Sequence, residues 1–351
     1  MAQARISPYS VPPLVIDTGN ATVKAVMGAQ QIKFPHAIAE ITEAEYHSIK
    51  AGDSYQRGEL IEVDGMYYAV GESASAYRVL QRQRRAKYSR DYSGVLFASV
   101  VARMFDAMPN ELPGELRVMM SHAPSDKEVS GVVKGAVLGK WNIVAGRNRF
   151  KFSVNDAYSF SEPVGSYFRQ AFIRNRNKWE TPLRGQTVGV LDIGGGTCSS
   201  LGVSKNAKEI EAYAGNGEQG INTAIDRLKK LLDKNYPDLF AKAPPSWERM
   251  VDAVRNGGTY TAYGRPYNIT TEIEKALNPL LNEVMSLWHG RMGSGRDIDT
   301  LILTGGGAAI LWDSLVTSVD FGNIIAGDEL PYIEFANALG ASIFSEVSES
   351  A

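Results

Sequence analysis

The chain has 351 residues, of which 44 % are hydrophobic and 22 % are charged, a composition that is ordinary for a globular protein. Its formal net charge is −2, so no overall basic field would draw it to nucleic acid or to a membrane surface. The single cysteine, Cys198, excludes an intrachain disulfide. No stretch approaches the roughly 20 apolar residues of a membrane-spanning helix. The first residues also lack the apolar run of a signal peptide, and we therefore expect a cytoplasmic protein.

The first half of the chain predicts mainly strands. Hydrophobic and β-branched runs bounded by turn residues are the signal, and Asp64-Gly65 is typical of a hairpin tip. The predicted elements are strands at 14–16, 21–27 and 32–41, a hairpin at 59–70, a helix start at 71–80, a helix at 94–108, a strand at 116–120 and further short strands over 129–155. Residues 78–90 are the most basic run, which indicates a solvated surface or, alternatively, a patch for an anionic ligand or a partner.

The second half predicts helices separated by buried strands. Glu162-Pro163 is a helix-start signal, because proline and an acidic side chain both suit a first turn. Apolar residues at helical spacing predict two long helical regions. The predicted elements are a helix from 161 toward 175, a surface connection at 174–186, strands at 187–193 and 199–203, helices at 221–255 and 270–289 with a hairpin or loop between them, a strand at 301–303, and helices at 309–317 and 335–344.

One unit of sequence occurs twice. VIDTGNATVKAVM contains Asp17 and VLDIGGGTCSSLGV contains Asp192, and each reads as a strand, an aspartate, a glycine turn and a second strand. Glycines let backbone N–H groups approach phosphate oxygens, and an aspartate at a strand end can hold magnesium through its waters. Lys24 would add charge and Thr197 a hydroxyl. Each hairpin alone is more simply a turn, but the pair predicts two related lobes that bind one triphosphate.

A third glycine motif, Gly305–Gly307, follows a predicted buried strand in LILTGGGAAILWDSL. Three consecutive glycines exceed what a strand–helix turn needs. The motif therefore predicts bare backbone on which a purine and its ribose would lie. Gly217 and Gly220, just before the predicted helix at 221, are the candidates for the other wall of that site.

The order of these motifs resembles that of the actin and sugar-kinase ATPase superfamily over about residues 14–345. The resemblance implies an α/β fold of the actin, sugar-kinase and heat-shock-chaperone ATPase type, with two related lobes and a nucleotide cleft between them. Lobe I would comprise 1–160 and 331–351, and lobe II 161–330. ATP or ADP and Mg²⁺ would be the ligands. The implied nucleotide-binding residues are Asp17, Thr18, Gly19, Asn20, Lys24, Gly194, Gly195, Gly196, Thr197, Gly217, Gly220, Gly305, Gly306 and Gly307.

Within that superfamily the chain is similar to prokaryotic actin-like proteins of the ParM and archaeal types. The similarity is seen in two segments, Val70–Ala74 and Ser161–Pro163. In that group a glutamate at the matching helix start orients the attacking water, which implies this role for Glu162. Asp17 and Asp192 would organise magnesium. The resemblance further implies an ATPase that assembles head to tail into nucleotide-dependent filaments, for plasmid or DNA segregation or cytoskeletal scaffolding. DNA would be reached through an adaptor protein, with no direct nucleic-acid or membrane binding.

Two other functions stay open from the sequence. Asn155-Asp156-Ala157 resembles a segment of some sugar kinases in which the aspartate is the base, so a small-molecule kinase would use Asp156. We favour Glu162, because 150–160 reads as a strand that feeds the helix and would leave Asp156 along or before its end. The other function is a monomeric, nucleotide-switched binding module. A glycine turn contacts either purine, so the sequence does not distinguish ATP from GTP.

Overall fold

The computed structural model describes residues 11–52, 58–77, 88–175, 178–240, 244–293, 295–319, 321–329 and 333–350. Internal contacts divide the chain into two units. Unit 1 comprises Met1–Phe168 and Asn337–Ala351, and unit 2 comprises Arg169–Ala336. The lobe boundaries given above stay a prediction. Most of the basic run, residues 78–87, lies outside the described residues.

The described part of the chain contains both strands and helices. The strands are β1 Leu14–Thr18, β2 Thr22–Met27, β3 Gln30–Pro35, β4 Ile38–Ile41, β5 Leu60–Val63, β6 Met66–Val70, β7 Glu115–His122, β8 Gly139–Ala145, β9 Asn148–Ser161, β10 Ile173–Asn175, β11 Lys178–Glu180, β12 Val188–Ile193, β13 Cys198–Val203, β14 Glu209–Gly217, β15 Thr259–Ala262, β16 Arg265–Asn268, β17 Thr300–Thr304 and β18 Ile324–Ala326. The helices are α1 Glu43–Ala51, α2 Val95–Phe105, α3 Ser130–Val137, α4 Glu162–Ala171, α5 Ile221–Asn235, α6 Pro237–Phe240, α7 Trp247–Arg255, α8 Thr270–Met292, α9 Gly306–Val319 and α10 Ala336–Ser350.

The two units repeat one sheet pattern. In the described part of unit 1 the strand order is β3-β2-β1-β7-β9-β8-β5-β6-β4, and in unit 2 it is β14-β13-β12-β17-β18. In each unit a three-stranded antiparallel meander is followed by two parallel strands, β7 and β9 in one and β17 and β18 in the other. The prediction of two related α/β lobes is confirmed.

Helices cover these sheets because packing against a sheet removes their apolar faces from water. Almost every side chain of α2 is buried, as expected for a helix that is apolar on all sides. In unit 2, α5 and α8 pack on each other and contribute Leu228, Leu280 and Trp288 to the core. No helix in the described part of the chain has the length and hydrophobicity needed to cross a membrane.

Several predicted elements need correction. Residues 130–137 form α3 where strands were expected, because Val133, Ala136 and Val137 are buried on one helical face, although the two valines are β-branched. Two strands follow, β8 and then β9, and β9 is long, with 14 residues. The helix at 162 ends at Ala171, and part of the expected surface connection pairs as β10–β11. The region 221–255 is three helices, and 71–76 is a 3₁₀ turn.

The predicted strand at 32–41 is instead two strands, β3 and β4, at opposite edges of the unit 1 sheet. Several other predictions match the structure more closely. The first hairpin is present, but β1 extends to Thr18, so its loop is residues 19–22 and not the 17–20 expected between the predicted strands. The hairpin tipped by Asp64-Gly65, the apolar helix α2 and the strand β17 are also present. Asp64 and Gly65 both have positive φ, 52° and 80°, which is the backbone that such a tight hairpin turn requires. The predicted hairpin or loop after 255 is the β15–β16 hairpin.

Candidate functional site

The first hairpin presents Asp17 near the end of a buried strand. Asp17 is 2 % exposed and lies opposite Lys24, whose Nζ is 3.2 Å from Oδ2. Ser121, at the end of the parallel neighbour β7, donates from Oγ to Asp17 Oδ1 at 3.1 Å and accepts from the Thr18 amide at 2.9 Å. The aspartate is therefore held rigidly, with one positive neighbour and one hydroxyl donor.

The second hairpin has the same pairing. Asp192, 8 % exposed, lies opposite Ser199, and Ile193 lies opposite Cys198, which leaves residues 194–197 as the loop. In the first hairpin Thr18 lies opposite Val23, which leaves residues 19–22. Both loops therefore have four residues, begin with glycine and end with threonine.

The first glycine of each loop occupies the same environment. A Cβ on Gly19 would lie 3.0 Å from the Thr22 carbonyl oxygen, and a Cβ on Gly194 would lie 3.1 Å from that of Thr197. Thr22 is therefore the counterpart of Thr197. Thr22 was not predicted as a site residue, although Asp-x-Gly-x-x-Thr occurs in both copies. Ser121 was not predicted either, because no local pattern links it to Asp17.

The carbonyl groups of the second loop are tied back by α5. The amides of Ile221 and Asn222 donate to Gly194 O at 3.0 Å and to Gly195 O at 2.8 Å. In a trans peptide the carbonyl and the next N–H point in opposite directions. The amides of Gly195 and Gly196 therefore face away from α5, which is the arrangement of an anion-binding concavity.

Gly217 and Gly220 are both required by close packing in unit 2. A Cβ on Gly220 would lie 2.5 Å from the Gly195 carbonyl carbon, so α5 can meet the loop only because residue 220 has no side chain. A Cβ on Gly217 would collide with Glu283 of α8 and lie 2.6 Å from Cys198 Sγ.

Glu283 also accepts the amide N–H of Glu218 at 2.5 Å, which ties this turn to α8. Burial first, and then the negative charge of Glu283, raise the pKa of Cys198 to about 12. The cysteine beside the loop is therefore a neutral thiol, with no nucleophilic role at neutral pH.

The third glycine motif converges on Asp192. Gly305 has φ +89°, and a Cβ there would collide with Asp192 Oδ1 and lie 2.5 Å from Ile193 O. A Cβ on Gly307 would lie 2.5 Å from Ile193 Cγ2. Around Gly306 the nearest atoms belong to Glu334 at 4.0 Å, so its backbone is the open part of the motif. The helix begins at Gly306, three residues earlier than predicted.

In unit 1 the carboxyl ends of three parallel strands meet at one edge of the sheet. Ser121 pairs with Phe160, and His122 pairs with Ser161, the residue before Glu162. Glu162 thus opens α4 at the edge where Ser121 contacts Asp17. Asp156 pairs with Arg117 instead, five residues and about 16 Å of strand away from that edge.

The donor set limits how Mg²⁺ would be held. Among the described residues no three His, Cys, Asp or Glu side chains lie close enough together to form a metal cage. Both oxygens of Asp17 already have protein partners. These residues fit a Mg²⁺ ion that keeps its waters and binds mainly through phosphate, as Mg²⁺ commonly does.

Comparisons with known proteins identify families for both halves of the chain. The family "Actin like proteins N terminal domain" matches residues 15–165, and "Archaeal actin homologue MreB-like, C-terminal" matches residues 190–317. No curated protein matches the chain by sequence.

Solved structures match nearly the whole chain. The archaeal actin homologue Ta0583 has 18 % identity and a TM-score of 0.72, covering 95 % of this chain and 99 % of that one. A further structure of Ta0583, in complex with ADP, has 17 % identity, a TM-score of 0.69 and the same coverage. The actin-like protein Alp7A has 16 % identity, a TM-score of 0.72 and 97 % coverage of both chains. A 15-stranded ParM filament from Clostridium botulinum has 15 % identity and a TM-score of 0.67, covering 96 % and 99 %.

The fold is thus the actin-like α/β fold, with a mixed sheet in each of two units. The chain belongs to the prokaryotic actin-like proteins, with an N-terminal domain of the actin-like type and a C-terminal domain of the archaeal MreB-like type.

Proposed function

We propose that the chain binds ATP with magnesium and hydrolyses it. The observation that carries this proposal is the backing of the second loop, where the Gly194 and Gly195 carbonyls are bonded to α5. That backing leaves the amides of the loop to face an anion, as a phosphate site requires. The ADP complex of Ta0583 supports a nucleotide as the ligand of this fold.

Both hairpins would contribute to the phosphate site. Thr18, Gly19, Asn20 and Lys24 in the first and 194–197 in the second would contact the phosphates. Gly217, Gly220 and Gly305–Gly307 would border the nucleoside. Asp17 and Asp192 would accept hydrogen bonds from the waters of Mg²⁺, which when bound neutralises phosphate charge.

Hydrolysis needs a water aligned with the terminal phosphorus. Glu162, at the edge where Asp17 lies, would accept a hydrogen bond from that water and orient it. The water oxygen then forms its bond to phosphorus as the bond to the ADP oxygen breaks. Positioning and charge stabilisation supply most of the catalysis in such reactions.

The matched pair Glu162→Gln and Glu40→Gln tests the catalytic role. Glu162→Gln should slow phosphate release by about 100-fold or more and leave the Kd for MgATP within about twofold. Glu40 is exposed on β4, so its variant should match the wild type. An unchanged hydrolysis rate in Glu162→Gln would remove that residue from the mechanism. ADP formation that depends on an added sugar, without release of inorganic phosphate, would instead favour a kinase.

We further propose nucleotide-dependent self-assembly, in DNA segregation through an adaptor or in cytoskeletal scaffolding. The support is the shared fold with the Clostridium botulinum ParM filament, and a head-to-tail contact that does not close produces a filament. Sedimentation with MgATP, MgADP and no nucleotide is the test. A pellet that depends on nucleotide is expected. A monomer at every concentration would leave a nucleotide-switched binding module.

A further inference from the structure

The first loop is tied back by a histidine. His36 follows β3 and is 2 % exposed. Its ring Nδ1 lies 2.6 Å from the carbonyl oxygen of Gly19, and its backbone amide donates to Ala21 O at 2.9 Å. A carbonyl oxygen can only accept a hydrogen bond, so the ring nitrogen that faces it carries a proton.

This contact matches one in the second loop. Gly19 and Gly194 are the equivalent first residues of the two loops, and both carbonyls are held from behind. In the second loop the donor is the first turn of α5, and in the first loop it is an imidazole. Two unrelated donors at the same position indicate that the direction of this peptide group is important.

The direction has a consequence for phosphate binding. Because the peptide is trans, fixing the Gly19 carbonyl toward His36 turns the Asn20 amide N–H the opposite way. That amide is one of the proposed phosphate donors. The ring cannot swing aside easily, since it is buried and packs against buried Tyr92 with ring centroids 5.5 Å apart.

We propose that His36 is a positioning residue of the first phosphate loop, whose Nδ1–H holds the Gly19 carbonyl and so aims the Asn20 amide at the nucleotide phosphates. The inference rests on the proposed nucleotide binding. It concerns a side chain 17 residues from the loop glycine that never touches the phosphates itself.

Replacements of different shape separate this role from general packing. Asn places its amide nitrogen where Nδ1 stands, Gln places it one bond further out, and Phe keeps the ring without a donor. His36→Phe and His36→Gln should each weaken MgATP binding by about tenfold, the effect of losing one net hydrogen bond. His36→Asn should keep wild-type affinity within about threefold. His47→Phe, at an exposed histidine of the same unit, is the control.

Two readouts distinguish positioning from loss of structure. Binding of adenosine, which has no phosphates, should be unchanged in all variants, so equal losses for adenosine and MgATP would overturn the proposal. Wild-type MgATP affinity in His36→Gln, or an equal defect in His36→Asn and His36→Gln, would overturn it as well. This polar pair remains informative if His36→Phe does not fold.

Amide hydrogen exchange of residues 17–25 without nucleotide is a test that does not depend on the proposed function. We expect faster exchange in His36→Gln and wild-type exchange in His36→Asn. Unchanged exchange in His36→Gln would refute the support that His36 gives to the loop. If exchange changes as expected but no variant, nor the wild type, binds MgATP, the failure lies in the proposed function alone.

Discussion

The contact between α4 and α10 makes Gly165→Ala a demanding test of the structure. A Cβ on Gly165 would collide with the Asn337 carbonyl oxygen and lie 2.6 Å from its carbonyl carbon and Cα. Ordinary contacts begin at 3.4 Å, so the contacts with carbon alone require the two helices to separate by about 0.8 Å, and the closer carbonyl oxygen requires more. The obstacle is backbone on both sides, and no side-chain rotation can relieve it.

Three contributions determine how much Gly165→Ala lowers the free energy of unfolding. Overpacking costs about 1–3 kcal/mol. Separation also weakens the buried hydrogen bonds from Ser166 N and Oγ to Asn337 Oδ1, at 3.2 and 2.7 Å, for about 1–3 kcal/mol more. Alanine regains about 1 kcal/mol of helix propensity. We expect Gly165→Ala to lower the free energy of unfolding by about 1–5 kcal/mol.

Gly135→Ala is the matched control, because Gly135 lies in α3 with nothing within 4 Å of an added Cβ. It should stabilise by up to about 1 kcal/mol, the helix-propensity gain alone. Urea unfolding followed by circular dichroism compares the two variants. If Gly165→Ala is as stable as Gly135→Ala, the close approach of α4 and α10 is wrong.

The same substitution should reduce activity. Glu162 is the first residue of α4, three positions before Gly165. Misplacement of a catalytic group by about 1 Å can lower a rate by about 100-fold. Steady-state phosphate release at a urea concentration of zero, where the variant is still folded, should therefore fall while MgATP binding persists. If the variant is destabilised but its rate is unchanged, the C-terminal end of α4 has moved and Glu162 has kept its position.

Three further predictions concern unit 2. With its pKa raised from 9.0 to about 12, the Cys198 thiol should react with iodoacetamide at pH 8 about 1,000-fold more slowly in the native state than in urea; rapid native labelling would contradict its burial. The raised pKa also means that the free energy of unfolding falls as pH rises from 9 toward about 12, because the thiol of the unfolded chain ionises first. Gly305→Ala should cost about 2–4 kcal/mol in urea unfolding, from a φ of +89° plus its clash, whereas Gly185→Ala, at +77° in open space, should cost about 1; equal costs would refute the clash. Arg169→Lys should cost about 1–2 kcal/mol in the same assay, since hydrogen bonds of 2.8 and 3.0 Å to buried Asp328 cannot both be kept; wild-type stability would show that this pair is not needed.

The two hairpins were predictable because their determinants are local. β-branched strands, an aspartate and a glycine turn lie within about a dozen residues, and local turn chemistry sets the pairing of Asp17 with Lys24. The buried strand β17 and the helix start at Glu162 were predictable for the same reason.

The supports of the site were not predictable, since they come from distant parts of the chain. Ser121 lies 104 residues from Asp17, and Glu283 lies 65 residues from Glu218. A serine and a glutamate are ordinary residues in a strand end and a helix. Their roles exist only once β7 lies beside β1 and α8 lies behind β14. The prediction of strands over α3 failed for a similar reason, because tertiary burial of Val133 and Val137 outweighs their local preference for strands.

The two loops differ in how their first carbonyl is supported. The second loop is approached by backbone, since α5 amides reach its carbonyls directly and Gly220 lies against Gly195. That approach requires glycine at position 220, where an added Cβ would lie 2.5 Å from the Gly195 carbonyl carbon. The first loop is approached by the imidazole of His36, which reaches the Gly19 carbonyl from 17 residues away along the chain. The two hairpins therefore share their strand pairing, while the groups that support their first carbonyl differ.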